Sequence, residues 1–128
     1  MAVGQTGVPT QVRHFIAAEI ESVGQLEVLL LLRGASDKTW TGEEVARALV
    51  MRPASATSWL DQIAGSGLIT ANAGGYRYAP PSADAERTID LLAESYAKYR
   101  VAVISLIFSK PSEGVTRFPE AFRIRRRD

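Results

Sequence analysis

Between Thr41 and Ala79 the chain spends every residue on structure: a capped helix, a turn, a second helix and a glycine-tipped hairpin follow one another without a gap. Thr41 can accept a hydrogen bond from a first-turn N–H while Glu44, three residues on, reaches back to the cap, so a helix starts here. Val45, Ala46, Leu49 and Val50 then share one face. Pro53 has no N–H to donate and pushes Arg52 toward an extended backbone, which leaves Val50 to Arg52 as the turn. The same proline suits the first turn of a new helix, whose apolar stripe is Trp59, Leu60, Ile63 and Ala64. Gly65 and Gly67 end it, one of them in the left-handed conformation common at helix C-termini. Leu68, Ile69 and Thr70 read as a strand, Asn72-Ala73-Gly74-Gly75 as a tight turn and Tyr76-Arg77-Tyr78 as the returning strand, with Pro80-Pro81 closing the unit.

The flanks are helical as well. Ser22 is a candidate N-cap for a helix from Val23 to Arg33, stopped by Gly34, with Leu26, Val28, Leu29 and Leu30 as apolar surface. Met1 to Pro9 holds few bulky apolar residues and reads as a mobile leader. Thr10 is placed to cap a short helix through Ile20, on which Val12, Phe15, Ile16 and Ile20 share a face. After Pro81, Ser82 or Asp84 caps a helix that meets no Gly or Pro until about Phe108 or Ser109. Ile89, Leu92, Tyr96, Tyr99, Val103 and Leu106 step along it by three and four residues, the a/d seam of a helix pair. Ile104, Ile107 and Phe108 widen the apolar surface at its C-terminal end, which is expected to be fully buried. The seam packs either on the chain's own first helices or on a second copy. The dimer is the reading adopted, because a domain of this size has little core to cover such a helix.

Two helices joined by a short turn and followed by a hairpin are the parts of a helix-turn-helix with a wing. The run "TGEEVARALVMRPASATSWLDQIAGSGLI" followed by "GGYRYAP", with Glu44, Ala46 and Leu49 in an E-x-A-x-x-L pattern, resembles small bacterial winged-helix transcriptional regulators of the MarR-like kind. The resemblance covers residues 23–81. It implies a mainly α, α+β fold: a winged helix-turn-helix domain with a two-stranded wing and a long C-terminal helix. It also implies that Lys38-Thr39-Trp40 is a short strand pairing with the wing, and that Trp40 packs beneath the helices. The chain then divides into a leader and short helix (1–22), the winged domain (23–81), a dimerisation or packing helix (82–109) and a basic C-terminal segment (110–128).

The resemblance further implies that Arg52, Ser55, Thr57 and Ser58 occupy the groove-facing start of the recognition helix, that Gln62 extends that set, and that Arg77 stands in the wing within reach of a minor groove. Charge argues against tight binding by this domain alone. Arg33, Lys38, Arg47, Arg52 and Arg77 are balanced by Glu27, Asp37, Glu43, Glu44 and Asp61, and from Pro53 to Ser66 there is no Lys or Arg, whereas phosphate neutralisation normally drives nucleic-acid affinity. The missing charge is concentrated at the C-terminus, in Lys110, Arg117, Arg123, Arg125, Arg126 and Arg127. Such a tail either lies along phosphates or is a plain solvated end. Phe118, Phe122 and Ile124 mark a short segment, broken by Pro119, that docks on the body or on a partner subunit.

Other classes find little support. The single histidine, His14, sits beside Phe15 on a packing helix without a second ligand at metal spacing, so it is read as structural and no metal or other cofactor is expected. Gly74-Gly75 is explained by a hairpin turn rather than a phosphate loop. Glu43, Glu44 and Asp61 lie in a cap or on exposed helix faces, a poor setting for a catalytic carboxylate pair, so no enzyme is expected. The chain has no cysteine, which rules out disulfides and thiolate chemistry and fits a reducing cytoplasm. Its start lacks the layout of a signal peptide, and the longest apolar runs, Val28 to Leu32 and Val101 to Phe108, fall far short of the roughly 20 residues that span a bilayer. A soluble cytoplasmic protein is the expectation, with no membrane partner.

Two functional readings follow. One is a homodimeric regulator binding double-stranded DNA, with recognition helices meeting successive major grooves about 34 Å apart. The other is a winged-helix module for a protein partner, without DNA affinity of its own, using the neutral face of Ala54, Ser55, Thr57 and Ser58.

Overall fold

The computed structural model of the protein describes residues 7–109. Within them run α1 (Thr10–Glu19), α2 (Val23–Gly34), α3 (Gly42–Leu49), α4 (Pro53–Gly65), β1 (Ile69–Asn72), β2 (Gly75–Tyr78), α5 (Ala83–Lys98) and α6 (Arg100–Phe108). The architecture is mainly helical with one small antiparallel sheet.

Side-chain caps set three of the helix starts. Ser22 Oγ accepts from the Gln25 N–H at 3.0 Å and Ser82 Oγ from the Ala85 N–H at 3.0 Å. At α3 the Thr41 hydroxyl accepts from the Glu44 N–H at 3.1 Å while the Glu44 carboxylate accepts from the Thr41 N–H at 3.0 Å. This reciprocal arrangement is a capping box. α4 opens on Pro53 after an extended Arg52 that makes no side-chain cap, as the sequence predicts. α1 differs: Thr10 is its first helical residue, Pro9 stands at the cap position, and no side chain caps it.

One core unites the described elements. Val12, Ile16 and Ile20 meet Leu26, Leu29 and Leu32, with Val45, Leu60 and Ile63 completing the centre beneath α3 and α4. Val8, assigned to the mobile leader from sequence, is 7% exposed and belongs to that core. Gln25 and Ser95 are the buried polar residues among those described, and Gln25 has a structural task. Its Oε1 accepts from the Glu21 N–H at 2.6 Å and its Nε2 donates to the Glu19 carbonyl at 2.9 Å, so it ties down the α1–α2 connection from inside.

In the hairpin Ile69 pairs with Tyr78 and Asn72 with Gly75, which reduces the turn to Ala73-Gly74 and carries the first strand through Asn72. Gly67, at φ +85°, supplies the left-handed residue after α4. The expected Lys38–Trp40 strand contracts to a single bridge, in which Trp40 and Tyr76 exchange N–H···O bonds of 2.7 Å each.

The largest departure from the sequence expectation lies after Ser82, where the single long helix is two helices. α5 ends at Lys98, Tyr99 leaves helical geometry at φ −129° and ψ 51°, and α6 turns back against α1. Tertiary contacts hold the bend. Val103 and Ile107 are buried, and the Tyr99 ring lies against Gly7. The Tyr96 hydroxyl donates to Glu27 at 2.9 Å, and Arg100 reaches the same carboxylate at 3.5 Å while its guanidinium lies 4.5 Å from the Tyr96 ring centre.

This packing corrects the seam. Ile89, Leu92, Tyr96 and Val103, assigned to dimerisation from their spacing, are buried inside the chain; Tyr99 is exposed and Leu106 half-buried. The C-terminal end of the helix is not covered as expected either, for Val101 is 77% and Phe108 78% exposed. Among the described residues, no helix is long and apolar enough to cross a membrane.

Candidate functional site

α4 buries Ala56, Leu60 and Ile63 against α2, α3 and β1, and so turns Ala54, Ser55, Thr57, Ser58 and Asp61 outward. It crosses α3 at close range: a Cβ on Gly42 would stand 2.6 Å from Thr57 Oγ1. Beside this crossing a groove of about 760 Å³ opens between the first turn of α3 and the N-terminal half of α4. Its walls are Thr41, Gly42, Glu43, Pro53, Ala54, Thr57, Ser58 and Asp61.

The groove carries hydroxyls and two carboxylates, and no Lys or Arg lines it. Asp61 is fixed from the hairpin, because the Tyr76 hydroxyl donates to its Oδ1 at 2.5 Å. That bond, helped by partial burial and the carboxylate charge, raises the Tyr76 hydroxyl pKa above the ordinary tyrosine value. Glu43 lies in the first turn of α3, where the helix dipole favours an anion. Positive charge stands outside this lining, at the α3–α4 turn and the N-terminal end of α4. Arg52 occupies its N-cap, and Arg47 sits in the last turn of α3; both are exposed.

Of the residues selected from sequence, Arg52, Ser55, Thr57 and Ser58 fall together on the exposed N-terminal half of α4. Gln62 does not join them, because its Nε2 donates to Glu21 Oε1 at 2.9 Å on the α1–α2 side. Arg77 projects from β2 opposite Thr70, with its Nε donating to the Ser36 carbonyl at 3.5 Å, which draws it toward the α2–α3 connection. Arg125, Arg126 and Arg127 lie outside the described residues. His14 is exposed on α1 rather than packed in the core. The signal that identifies Asp61 is helical phase: residues 54, 58 and 61 lie opposite Ala56, Leu60 and Ile63.

Comparison with protein-family models, with curated proteins and with solved structures found no match to this chain.

Proposed function

We propose that the protein is a cytoplasmic DNA-binding transcriptional regulator of the MarR-like winged helix-turn-helix kind, acting as a homodimer. α4 lies in the major groove and the β1–β2 hairpin is the wing, at the backbone or the minor groove. The observation that carries this reading is the free N-terminal half of α4: Arg52, Ser55, Thr57 and Ser58 stand exposed on the second helix of a pair joined by a three-residue turn. An unpaired N-terminus of that kind also offers N–H groups to a phosphate. The described residues hold nine Lys and Arg against eleven Asp and Glu, whereas residues 110–128 hold six against three. Affinity on this reading therefore depends on the arginine-rich tail.

The test is a fluorescence-anisotropy titration against a duplex from the gene's own upstream region and a scrambled duplex, at low and near-physiological salt. Preferential, salt-dependent binding to the upstream duplex is expected. Arg52→Ala should cost about 1 to 3 kcal/mol in a sequence-dependent way if it contacts a base. Absence of binding to both duplexes at low salt would refute the reading.

The acidic lining of the groove favours a second reading, a docking module for a protein partner that brings a basic segment to Glu43 and Asp61. On that reading DNA affinity is absent.

A further inference from the structure

The interruption between α5 and α6 is one residue long, and nothing in the local sequence requires it. Lys98-Tyr99-Arg100-Val101 contains neither Gly nor Pro, and the apolar steps from Ile89 to Leu106 run straight through it in the phase of a single helix. The N–H groups of Arg100, Val101 and Ala102 find no backbone acceptor among the described residues. In an uninterrupted helix they would bond to the carbonyls of Tyr96, Ala97 and Lys98. The bent form also leaves apolar surface in water, with Val101 and Phe108 more than three-quarters exposed and Tyr99 41% exposed. A helix apolar on every side, as α6 is apart from Arg100 and Ser105, ordinarily has neighbours on every side.

We infer that Tyr99 is a hinge through which two copies of the chain exchange α6. On exchange α5 and α6 straighten into one helix, and α6 of each copy docks through Val103 and Ile107 on α1 of the other. The contacts that α6 makes within one chain are remade between chains, so the exchange costs little contact energy, while the three N–H groups gain acceptors. The two hinges, each carrying Tyr99 and Val101, come together about the two-fold axis. This gives the homodimer a route that does not use the Ile89–Leu92 seam, and it holds whatever α4 binds.

The test uses the full chain. Equal amounts of ¹³C-labelled and unlabelled protein are unfolded together, refolded and separated by size exclusion with light scattering. A dimer fraction is expected, and isotope-filtered NOE spectra of it should connect the Val103 and Ile107 methyls of one copy to α1 of the other. Two substitutions at one position isolate the hinge, since both remove the Arg100–Glu27 pair. Arg100→Ala favours the continuous helix and should enrich the dimer. Arg100→Pro is tolerated at the first position of α6 but blocks the continuous helix, and should reduce the dimer at least tenfold. The inference is overturned by a monomer at all concentrations, by a dimer in which those NOEs remain within one chain, or by undiminished dimerisation of Arg100→Pro. A dimer whose contacts run through Val101 and Phe108 of two bent chains overturns it as well.

Discussion

Gly75 and Trp40 approach more closely than any side chain allows: a Cβ on Gly75 would lie 2.2 Å from the Trp40 carbonyl oxygen. Gly75 also holds φ at +131°, a backbone region that L residues rarely adopt. This approach lets Trp40 and Tyr76 exchange their two hydrogen bonds, which fix the hairpin against the segment leading into α3. Gly75→Ala is therefore expected to destabilise the protein by about 3 kcal/mol, measured by urea denaturation. Gly65→Ala is the control, because its added Cβ meets nothing within 4 Å; it should be neutral or stabilising by up to about 1 kcal/mol.

Val50 ends α3 in the left-handed conformation at φ 55° and ψ 58°, with 91% of its surface exposed. A β-branched side chain is poorly suited to that region and here buries nothing in return. Val50→Asn, which tolerates the conformation without the chain entropy of glycine, should stabilise the protein by about 1 kcal/mol. The midpoint of urea unfolding should rise with an unchanged slope; an unchanged or lower midpoint would contradict the assignment of strain.

Tyr78 is buried, and its hydroxyl has no hydrogen-bond partner among the described residues. Burial, with smaller contributions from Asp90 and Glu86 opposed by Arg33, pushes its pKa up to about 12. Because the folded value lies above the ordinary 10, the stability that neutral Tyr78 contributes is complete below pH 10 and is lost as pH rises toward 12. Tyr78→Phe should thus be neutral or stabilising by about 1 kcal/mol at neutral pH. It should also unfold less steeply between pH 10 and 12, followed by circular dichroism, and lose the last phase of phenolate absorbance.

What the sequence made legible was local. The capping box of Thr41 and Glu44, Pro53 at the start of α4 and the caps at Ser22 and Ser82 are decided by residues three or four apart, and each stands where its chemistry places it. The bend at Tyr99 is decided by Glu27, far away in sequence, and by the fit of α6 on α1, neither of which a helical period can report. The same holds at the groove. The hydroxyl face of α4 follows from periodicity, but the engagement of Gln62 with Glu21 and of Tyr76 with Asp61 depends on which elements become neighbours.

Asp61 is the residue on which the two functional readings make opposite demands. It stands on the outward face of α4, and Asp61→Asn removes its charge while keeping an oxygen for the Tyr76 hydroxyl, so stability should change by less than about 0.5 kcal/mol. If α4 enters a DNA groove, the carboxylate repels nearby phosphates, a cost of about 1 kcal/mol at roughly 4 Å even at the dielectric of bulk water. Its removal should then tighten duplex binding about fivefold at low salt, and the gain should shrink as salt screens the repulsion. If the groove receives a basic protein segment, the same substitution should instead weaken that complex and leave duplex affinity absent. A titration of both proteins against duplex at two salt concentrations separates the cases, since only a DNA-binding α4 gives a salt-dependent difference between Asp61 and Asn at this position.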